Sequence, residues 1–334
     1  MANLYCALDA GTVSTCMLCA TRDEAGGTRA LLRRACVTDL GEGVDASGSL
    51  LPQAIGRTVD CIADYLAQAR ELAQEQGLSL VSCLTATSAA RDASNSRDLT
   101  ARLEELGLKP QVIAGADEAA LGLLGVTSDF MGTTVEVCDI GGGSTELSSG
   151  SRDAQGRLVQ LGAASLNIGA RRVCERFLAC PDDEPCDPVA VRRARDFARG
   201  IFEAHLVQQT NLPETLACVG GTATTLVAVL AELDPYDSDF VHLRQTDRNA
   251  LHDLTERLLH MSTLERRGLV GLQPKRAHVI HAGALILDEL VKTGGWPGFI
   301  TSESNSLFGV VECMHAQAVG VQPPLAWNPQ MMRG

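Results

Sequence analysis

The fold is decided by the stretch VCDIGGGSTEL at residues 137–147. Residues 134–140 form an apolar run that predicts a strand with Asp139 near its end, and residues 146–149 predict the strand that returns beside it. The glycines at 141–143 permit a tight turn whose N–H groups point into one space, because no Cβ obstructs them. The pattern therefore predicts a glycine-turned hairpin that can bind an oxyanion.

The same pattern occurs at the N-terminus of the chain. Residues 4–9 predict a strand that ends in Asp9-Ala10-Gly11-Thr12, and residues 14–20 predict its returning partner. Two copies of one aspartate-glycine hairpin imply two related α/β domains, which we expect to face each other across a cleft. A long amphipathic helix is predicted at residues 52–76, where apolar side chains recur at helical spacing between Pro52 and Gly77.

A third glycine turn follows a predicted strand at residues 216–219 and opens a helix, whose dipole favours an anion at its N-terminus. Any one of these turns is more often a structural feature, but three in one chain, two of them led by aspartate, predict phosphate binding. The predicted phosphate-binding residues are Gly11, Thr12, Ser14, Gly141, Gly142, Gly143, Ser144, Thr145, Gly220, Gly221 and Thr222.

Composition excludes several classes of function. The 334 residues, 45% of them hydrophobic, suffice for two cores, and no apolar run is long enough for a membrane span. A formal net charge of -13 argues against nucleic acid and anionic membranes as partners. We expect a soluble, cytoplasmic protein.

The cysteines are numerous but scattered. Twelve are present, mostly inside apolar runs, where a reduced thiol packs well. The alternative is a zinc or iron-sulfur site that combines Cys16 and Cys19 with Cys174, Cys180 and Cys186, although the second group is too widely spaced for the usual ligand pairs.

Seven segments match a known family in order along the chain: ALDAGTVS at 7–14, ATSAARDA at 86–93, VIAGADEAALGLLGV at 112–126, VCDIGGGSTEL at 137–147, SLNIGARRVCERFL at 165–178, VGGTATTL at 219–226 and RAHVIHAGALIL at 276–287. They resemble the exopolyphosphatase and guanosine pentaphosphate phosphohydrolase (Ppx/GppA) family of the acetate kinase, sugar kinase, Hsp70 and actin superfamily. The resemblance implies an α/β, actin-like (ribonuclease H-like) ATPase fold with duplicated domains at residues 1–126 and 127–315 and a tail at 316–334.

The resemblance implies a role for each matching acid and arginine. Glu118 matches the family's general base on the attacking water, and the adjacent Asp117 is the other candidate. Arg91 matches a phosphate-binding arginine that neutralises charge on the leaving oxygens. Asp139 and Glu146 match acids that hold a metal ion or position water.

We expect Mg²⁺ or another divalent cation as the cofactor, because oxygen ligands suit it. Asp9 fits a second contact to that ion. Arg172 matches a further family arginine, although surface ion pairing explains it almost as well.

Three positions depart from the family pattern. Val13 stands where an asparagine is usual, Ala120 stands where the helix after the base usually carries an arginine, and Leu307 lies in a segment expected to read like G-L-R-E-G. We expect these changes to alter substrate choice, chain-length preference or rate.

The resemblance therefore predicts a hydrolase that releases the terminal phosphate of polyphosphate, with guanosine pentaphosphate as the second choice of substrate. The expected binding partner is polyphosphate or a guanosine penta- or tetraphosphate. The alternatives are a sensor that binds polyphosphate or alarmone without turnover and, less well supported, a sugar or acetate kinase. A homodimer is one assembly that the sequence leaves open.

Overall fold

The computed structural model describes residues 2–23, 27–209 and 211–333 of the chain. The chain divides into two compact units: unit 1 comprises Met1–Gly125 and Asn305–Gly334, and unit 2 comprises Val126–Ser304. The first boundary lies one residue from the predicted break between residues 126 and 127.

The strands of unit 1 form one mixed sheet in the order β12-β4-β1-β2-β3, with β5 also pairing with β4. β1 runs antiparallel to β2 and parallel to β4, and β2 runs antiparallel to β3. With elements numbered along the chain, its strands are β1 (Asn3–Ala10), β2 (Ser14–Arg22), β3 (Thr28–Val37), β4 (Ser79–Ala86), β5 (Gln111–Val112) and β12 (Met332–Arg333).

Helices cover both faces of this sheet. The predicted amphipathic helix is confirmed as α2, with Pro52 in its first turn and Gly77 at φ 64 as its C-cap. Its apolar side chains pack on Leu4, Cys6 and Leu8 in the core of unit 1. The helices of unit 1 are α1 (Val44–Ser47), α2 (Pro52–Gln76), α3 (Ser88–Asp92), α4 (Ser96–Glu104), α5 (Gly115–Val126) and α13 (Ser306–Val319).

The C-terminal helix α13 belongs to unit 1, whereas the sequence prediction had placed residues 305–315 in the second domain. It packs on β1 and β2, where Tyr5 bonds His315 at 3.2 Å and Arg22 pairs with Glu312 at 3.5 Å. The predicted tail at residues 316–334 contains the end of α13 and strand β12, which pairs with β4. The chain returns to unit 1 at its C-terminal end because the apolar face of α13 is buried against the sheet of that unit.

The strands of unit 2 form a second mixed sheet in the order β10-β11-β9-β6-β7-β8. β6, β7 and β8 form an antiparallel meander, and β9 runs parallel to β6. Its strands are β6 (Val135–Ile140), β7 (Thr145–Arg152), β8 (Leu158–Leu166), β9 (Thr215–Val219), β10 (Gln245–Asp247) and β11 (Gly298–Thr301).

The helices of unit 2 pack against this sheet and against each other. The core includes Phe202 of α7, Leu258 of α10 and Leu285 of α12, all fully buried. The helices are α6 (Ala170–Val173), continued by a π-helical turn at Cys174–Leu178, α7 (Pro188–Leu206), α8 (Gly220–Leu230), α9 (Ser238–Val241), α10 (Arg248–His260), α11 (Thr263–Arg267), a 3₁₀ turn at Pro274–Arg276 and α12 (Ile280–Gly294).

The duplication predicted from the two hairpins is confirmed in the sheet topology. β1, β2 and β3 with the parallel β4 correspond to β6, β7 and β8 with the parallel β9. β3 and β8, which end each meander, had no strand prediction from the sequence. Among the described residues, no helix is long and apolar enough to cross a bilayer.

A network of charged side chains joins α7 to α12 and α10. Nη1 of Arg195 lies 2.8 Å from Oδ2 of Asp288 and 2.7 Å from Oε1 of Glu289. Both acids are almost fully buried, and Nη2 of Arg195 also pairs with Glu256 of α10. Removal of the arginine would leave two buried carboxylates without this partner, which costs far more than the pairs themselves contribute.

We expect Arg195→Met to lower the free energy of unfolding by about 3–5 kcal/mol. The exposed Arg192 on the same helix provides the matched control, and Arg192→Met should change stability by less than about 0.5 kcal/mol. Urea unfolding followed by circular dichroism measures both. Equal stability of the two variants would contradict the structural role of the network.

Strand β6 also carries a buried acid without a partner. Both carboxylate oxygens of Glu136 lack a hydrogen bond among the described residues, and the side chain is 1% exposed. Burial raises the pKa of Glu136 to about 7 from an ordinary value of 4.5. Because the folded protein binds this proton more tightly than the unfolded chain, the group lowers stability as pH rises from about 4.5 to about 7.

Glu136→Gln should therefore stabilise the protein at pH 8 and leave it nearly unchanged at pH 4.5. A pKa shift of this size corresponds to roughly 3 kcal/mol at the higher pH. Denaturant unfolding at both pH values tests this, with the exposed Glu203→Gln as control. A gain of equal size at both pH values would show that charge is not the cause.

Candidate active site

The triple-glycine turn connects β6 to β7 in unit 2. The amide of Gly141 donates to the carbonyl oxygen of Ser144 at 3.0 Å, which closes the turn. Gly142 and Gly143 are both buried, yet their amide nitrogens donate to no acceptor among the described residues. Buried amides are normally paired, so these two donors are suited to an external oxyanion.

The carbonyl groups of this turn are held by the start of α6. The amide of Ala170 donates to the oxygen of Gly141, and the amides of Arg171 and Arg172 donate to the oxygen of Gly142, at 2.9–3.1 Å. Because these carbonyl groups are hydrogen-bonded to the start of α6, the N–H groups of the turn point in other directions.

Gly169 allows this close approach. A Cβ at Gly169 would lie 2.5 Å from backbone atoms of Gly142 and Gly143, closer than real contacts permit. Nε of Arg172 adds a bond of 2.7 Å to the oxygen of Gly143, so its structural role goes beyond surface ion pairing.

The third predicted turn joins β9 to α8. Gly220 has φ 78, and a Cβ there would lie 2.3 Å from Oδ1 of Asp139, so only glycine fits. The hydroxyl of Thr222 donates to the carbonyl of Ile140 at 2.9 Å and ties this turn to the end of β6. No side chain caps the N-terminus of α8, which leaves its first-turn amides for an anion.

Arg276 is a candidate binding residue that the sequence analysis missed. Its guanidinium lies over Gly221, because a Cβ at that glycine would be 2.1 Å from Nη1 of Arg276. The residue opens the matching segment RAHVIHAGALIL, but nothing in that pattern shows which glycine the side chain reaches. An arginine beside a helix N-terminus adds a fork of donors for phosphate oxygens.

Two acids of unit 2 face each other across neighbouring strands. Asp139 of β6 and Glu146 of β7 are register partners, so their side chains lie on the same face of the sheet. Oε1 of Glu146 accepts a hydrogen bond of 2.6 Å from Ser165 on β8. Burial raises the pKa of Asp139 to about 6, so a nearby cation would favour its ionised form.

The carboxylates of Asp139 and Glu146 fit a magnesium ion whose other ligands are water and substrate oxygens. Mg²⁺ commonly takes one or two protein carboxylates and fills its other positions with water and phosphate oxygens. In the part of the chain that the structure describes, no three histidine, cysteine or acidic side chains group into a metal site. The same finding gives no support to the zinc or iron-sulfur alternative, and the cysteines are free thiols.

The hairpin turn of unit 1 is held in the same way as that of unit 2. The amide of Gly11 donates to the oxygen of Ser14 at 3.1 Å. The carbonyl of Thr12 accepts from Gly41, and that of Val13 accepts from Thr38 and Asp39, all within 3.0 Å.

The side chain of Thr12 makes a hydrogen bond within unit 1. Its hydroxyl accepts a bond of 3.1 Å from the amide of Ala89, at the start of α3. At the end of β1, Oδ1 of Asp9 accepts a bond of 2.8 Å from the hydroxyl of Thr85. That bond orients the carboxylate which the sequence assigns to a metal ion.

The structure brings Arg91 and Glu118 together. Nη1 of Arg91 lies 3.2 Å from Oε2 of Glu118 and 2.9 Å from the carbonyl oxygen of Ile113. Both side chains are partly buried, with 26% and 16% exposed. The guanidinium thus fixes the position of the carboxylate at the start of α5.

Helix α5 is itself placed by close contacts with α13. A Cβ at Gly309 would lie 2.1 Å from the carbonyl of Leu121, and one at Gly125 would lie 2.1 Å from that of Asn305. No pattern in the sequence predicts this crossing, which sets the position of the helix that carries Glu118.

The three departures from the family pattern are buried apolar side chains. Val13 is 7% exposed, Ala120 is 9% exposed and Leu307 is 5% exposed. None of them can donate a hydrogen bond or carry a charge through its side chain.

Comparison with known proteins identifies relatives over most of the chain. A model of the Ppx/GppA phosphatase family matches residues 20–293. Exopolyphosphatase 2 of Mycobacterium tuberculosis is 32% identical over 299 residues, which cover 86% of this chain and 89% of the relative.

Solved structures show the same fold. The Aquifex aeolicus Ppx/GppA family member superposes with a TM-score of 0.76 at 26% identity, over 95% of this chain and 99% of that one. An exopolyphosphatase from Cytophaga hutchinsonii gives a TM-score of 0.80 at 21% identity, over 95% and 98% of the two chains. The predicted α/β, actin-like fold class is confirmed.

Gly169→Ala should displace the triple-glycine turn, because the added Cβ would collide with backbone that cannot rotate away. A displacement of about 1 Å in a positioned group can lower the rate about 100-fold, which we expect for phosphate release from tripolyphosphate. Gly200→Ala in α7 is the control, since its Cβ would meet open space. Unchanged release by the Gly169 variant would exclude the turn from the site.

Proposed function

This chain belongs to the Ppx/GppA phosphatase family, and from that premise we propose that it hydrolyses the terminal phosphoanhydride bond of inorganic polyphosphate. The observation that carries the proposal is the pair of buried amides at Gly142 and Gly143, which lack acceptors among the described residues. Phosphate oxygens match such donors in charge and size. A local anion site of this kind would also let a polyanionic substrate bind despite the repulsion expected from a formal net charge of -13.

Glu118 is the proposed general base. Its carboxylate takes a proton from the attacking water, whose oxygen forms a bond to the terminal phosphorus as the bond to the leaving phosphate oxygen breaks. The bond from Arg91 restricts the carboxylate to one orientation, which favours a base that must meet its water within hydrogen-bond reach.

The amides of the glycine turns and the guanidinium of Arg276 hold the phosphate oxygens in this proposal. Their N–H groups and the positive charge of the guanidinium offset the negative charge of the bound phosphate oxygens. Arg91 has a second role, since its other guanidinium nitrogen atoms supply positive charge near the reacting groups.

Asp139 and Glu146 would hold a divalent cation in unit 2, and Asp9 is the candidate ligand in unit 1. A bound Mg²⁺ supplies charge neutralisation on phosphate oxygens. Ser165 and Thr85 orient the carboxylates of Glu146 and Asp9 through their hydroxyl groups.

Glu118→Gln should lower kcat for phosphate release from polyphosphate by roughly 100- to 10,000-fold, the usual contribution of a positioned base. KM should change little, because glutamine can still accept the bond from Arg91. Release of orthophosphate in the presence of MgCl₂ measures both quantities, and EDTA should abolish release in the wild type.

Asp117→Asn is the matched control, because it makes the same chemical change one residue earlier. It should retain most activity. A large loss in Asp117→Asn with activity retained in Glu118→Gln would transfer the role of base to Asp117.

The second candidate function is a sensor that binds polyphosphate or an alarmone without turnover. The buried apolar side chains of Val13, Ala120 and Leu307 favour it, because polar contacts usual in the family are absent from those positions. Wild-type protein that binds tripolyphosphate but releases no phosphate at any chain length would support the sensor. Faster release from guanosine pentaphosphate than from polyphosphate would make the alarmone the main substrate.

A further inference from the structure

One residue links the triple-glycine turn of unit 2 to the segment that carries Arg276, without being part of either. The amide of Arg171 donates to the carbonyl of Gly142 at 2.9 Å, in the clamp on the triple-glycine turn. Its guanidinium reaches in another direction, where Nη2 lies 2.9 Å from Nε2 of His278. The residue is 7% exposed, which is unusual for an arginine outside a core ion network.

The contact between Arg171 and His278 has a defined direction. A guanidinium can only donate hydrogen bonds, so Nε2 of His278 is the acceptor. Glu175 accepts a bond of 2.9 Å from Nη1 of Arg171 and holds the guanidinium in this orientation.

His278 lies two residues after Arg276, whose guanidinium covers Gly221. The intervening Ala277 is fixed by Arg266, whose Nε donates to its carbonyl at 2.9 Å. The carbonyl of His278 accepts a bond of 3.0 Å from the thiol of Cys174. The segment that carries Arg276 is thus attached to the clamp on the first turn through the backbone and the ring of His278.

We propose that Arg171 is a positioning residue, which through His278 sets the guanidinium of Arg276 over the Gly220–Gly221 turn relative to the triple-glycine turn. The phosphate ligand in this inference rests on the proposed function. The positioning itself is a property of the free protein. Loss of Arg171 weakens phosphate binding by unit 2 and leaves Glu118 and Arg91 in unit 1 unchanged.

The first test uses ligand-free protein. Hydrogen–deuterium exchange should be faster in Arg171→Met than in wild type for peptides that cover residues 219–223 and 274–282. Arg176→Met is the matched control, because Arg176 is exposed on the same stretch and stacks on Phe197. Unchanged exchange in both peptides of the Arg171 variant overturns the proposal.

The second test separates binding from chemistry. Arg171→Met should raise KM for tripolyphosphate about tenfold, which corresponds to the loss of one hydrogen bond to a charged group. The value of kcat should stay within about threefold, because the lost contact acts on bound substrate and transition state alike. A fall in thermal stability with an unchanged KM would reduce Arg171 to a structural role and overturn the proposal.

A pair of substitutions at His278 completes the design. His278→Gln keeps an acceptor for Arg171 and should remain near wild type, whereas His278→Leu should match Arg171→Met. The double variant Arg171→Met/His278→Leu should be no worse than either single variant, as expected for one shared contact. Additive defects, or equal defects in the two His278 variants, overturn the inference.

Failure of the proposed function gives a different result. In that case wild-type protein neither binds tripolyphosphate nor releases phosphate from it, while the exchange experiment still decides whether Arg171 positions the two segments. Faster exchange in Arg171→Met, together with neither binding nor turnover of tripolyphosphate by wild type, would support the positioning and reject the ligand.

Discussion

The constraint on which the site of unit 2 depends is the set of hydrogen bonds from the start of α6 to the carbonyls of the triple-glycine turn. A peptide group that gives its oxygen to one neighbour can turn its N–H toward another, and Gly141 and Gly142 give theirs to residues 170–172. Gly169 makes this possible by lacking a Cβ. The buried amides of Gly142 and Gly143 are the consequence, and they are costly unless an acceptor satisfies them.

The hairpin turn of unit 1 is held by hydrogen bonds of the same kind. The duplication therefore extends beyond the sheet to the polar contacts of the turns. In unit 1 the carbonyl groups of Thr12 and Val13 accept hydrogen bonds from amides in residues 38–41, the segment that follows the third strand of the meander. In unit 2 the corresponding segment, residues 168–172, also follows the third strand. The two units differ in their charged side chains. Unit 1 contains the ion pair of Arg91 with Glu118, and unit 2 contains an acid pair and an arginine over a helix N-terminus.

Buried arginines have a large part in unit 2. Arg266 is fully buried and donates to three carbonyl oxygens and one hydroxyl, at 2.6–2.9 Å, so it joins the end of α10 to the segment before α12. The partly buried Arg195 joins α7 to α12, and the buried Arg171 joins the start of α6 to the segment before α12. A guanidinium offers five N–H donors in a planar fork, whereas a lysine ammonium offers three from a single nitrogen.

The sequence by itself determined the repeated hairpins, the bounds of α2, the family and the identity of the candidate acids and glycines, because these depend on local periodicity and on short patterns. It predicted that Arg91 and Glu118 serve one site, which stays a prediction, whereas the contact between the two side chains is known only from the structure. Only the tertiary structure decided that α13 belongs with unit 1, that Arg276 lies over Gly221, and that Arg171 reaches His278. Those facts join residues more than fifty positions apart in the chain, and packing rather than local pattern selects such pairs.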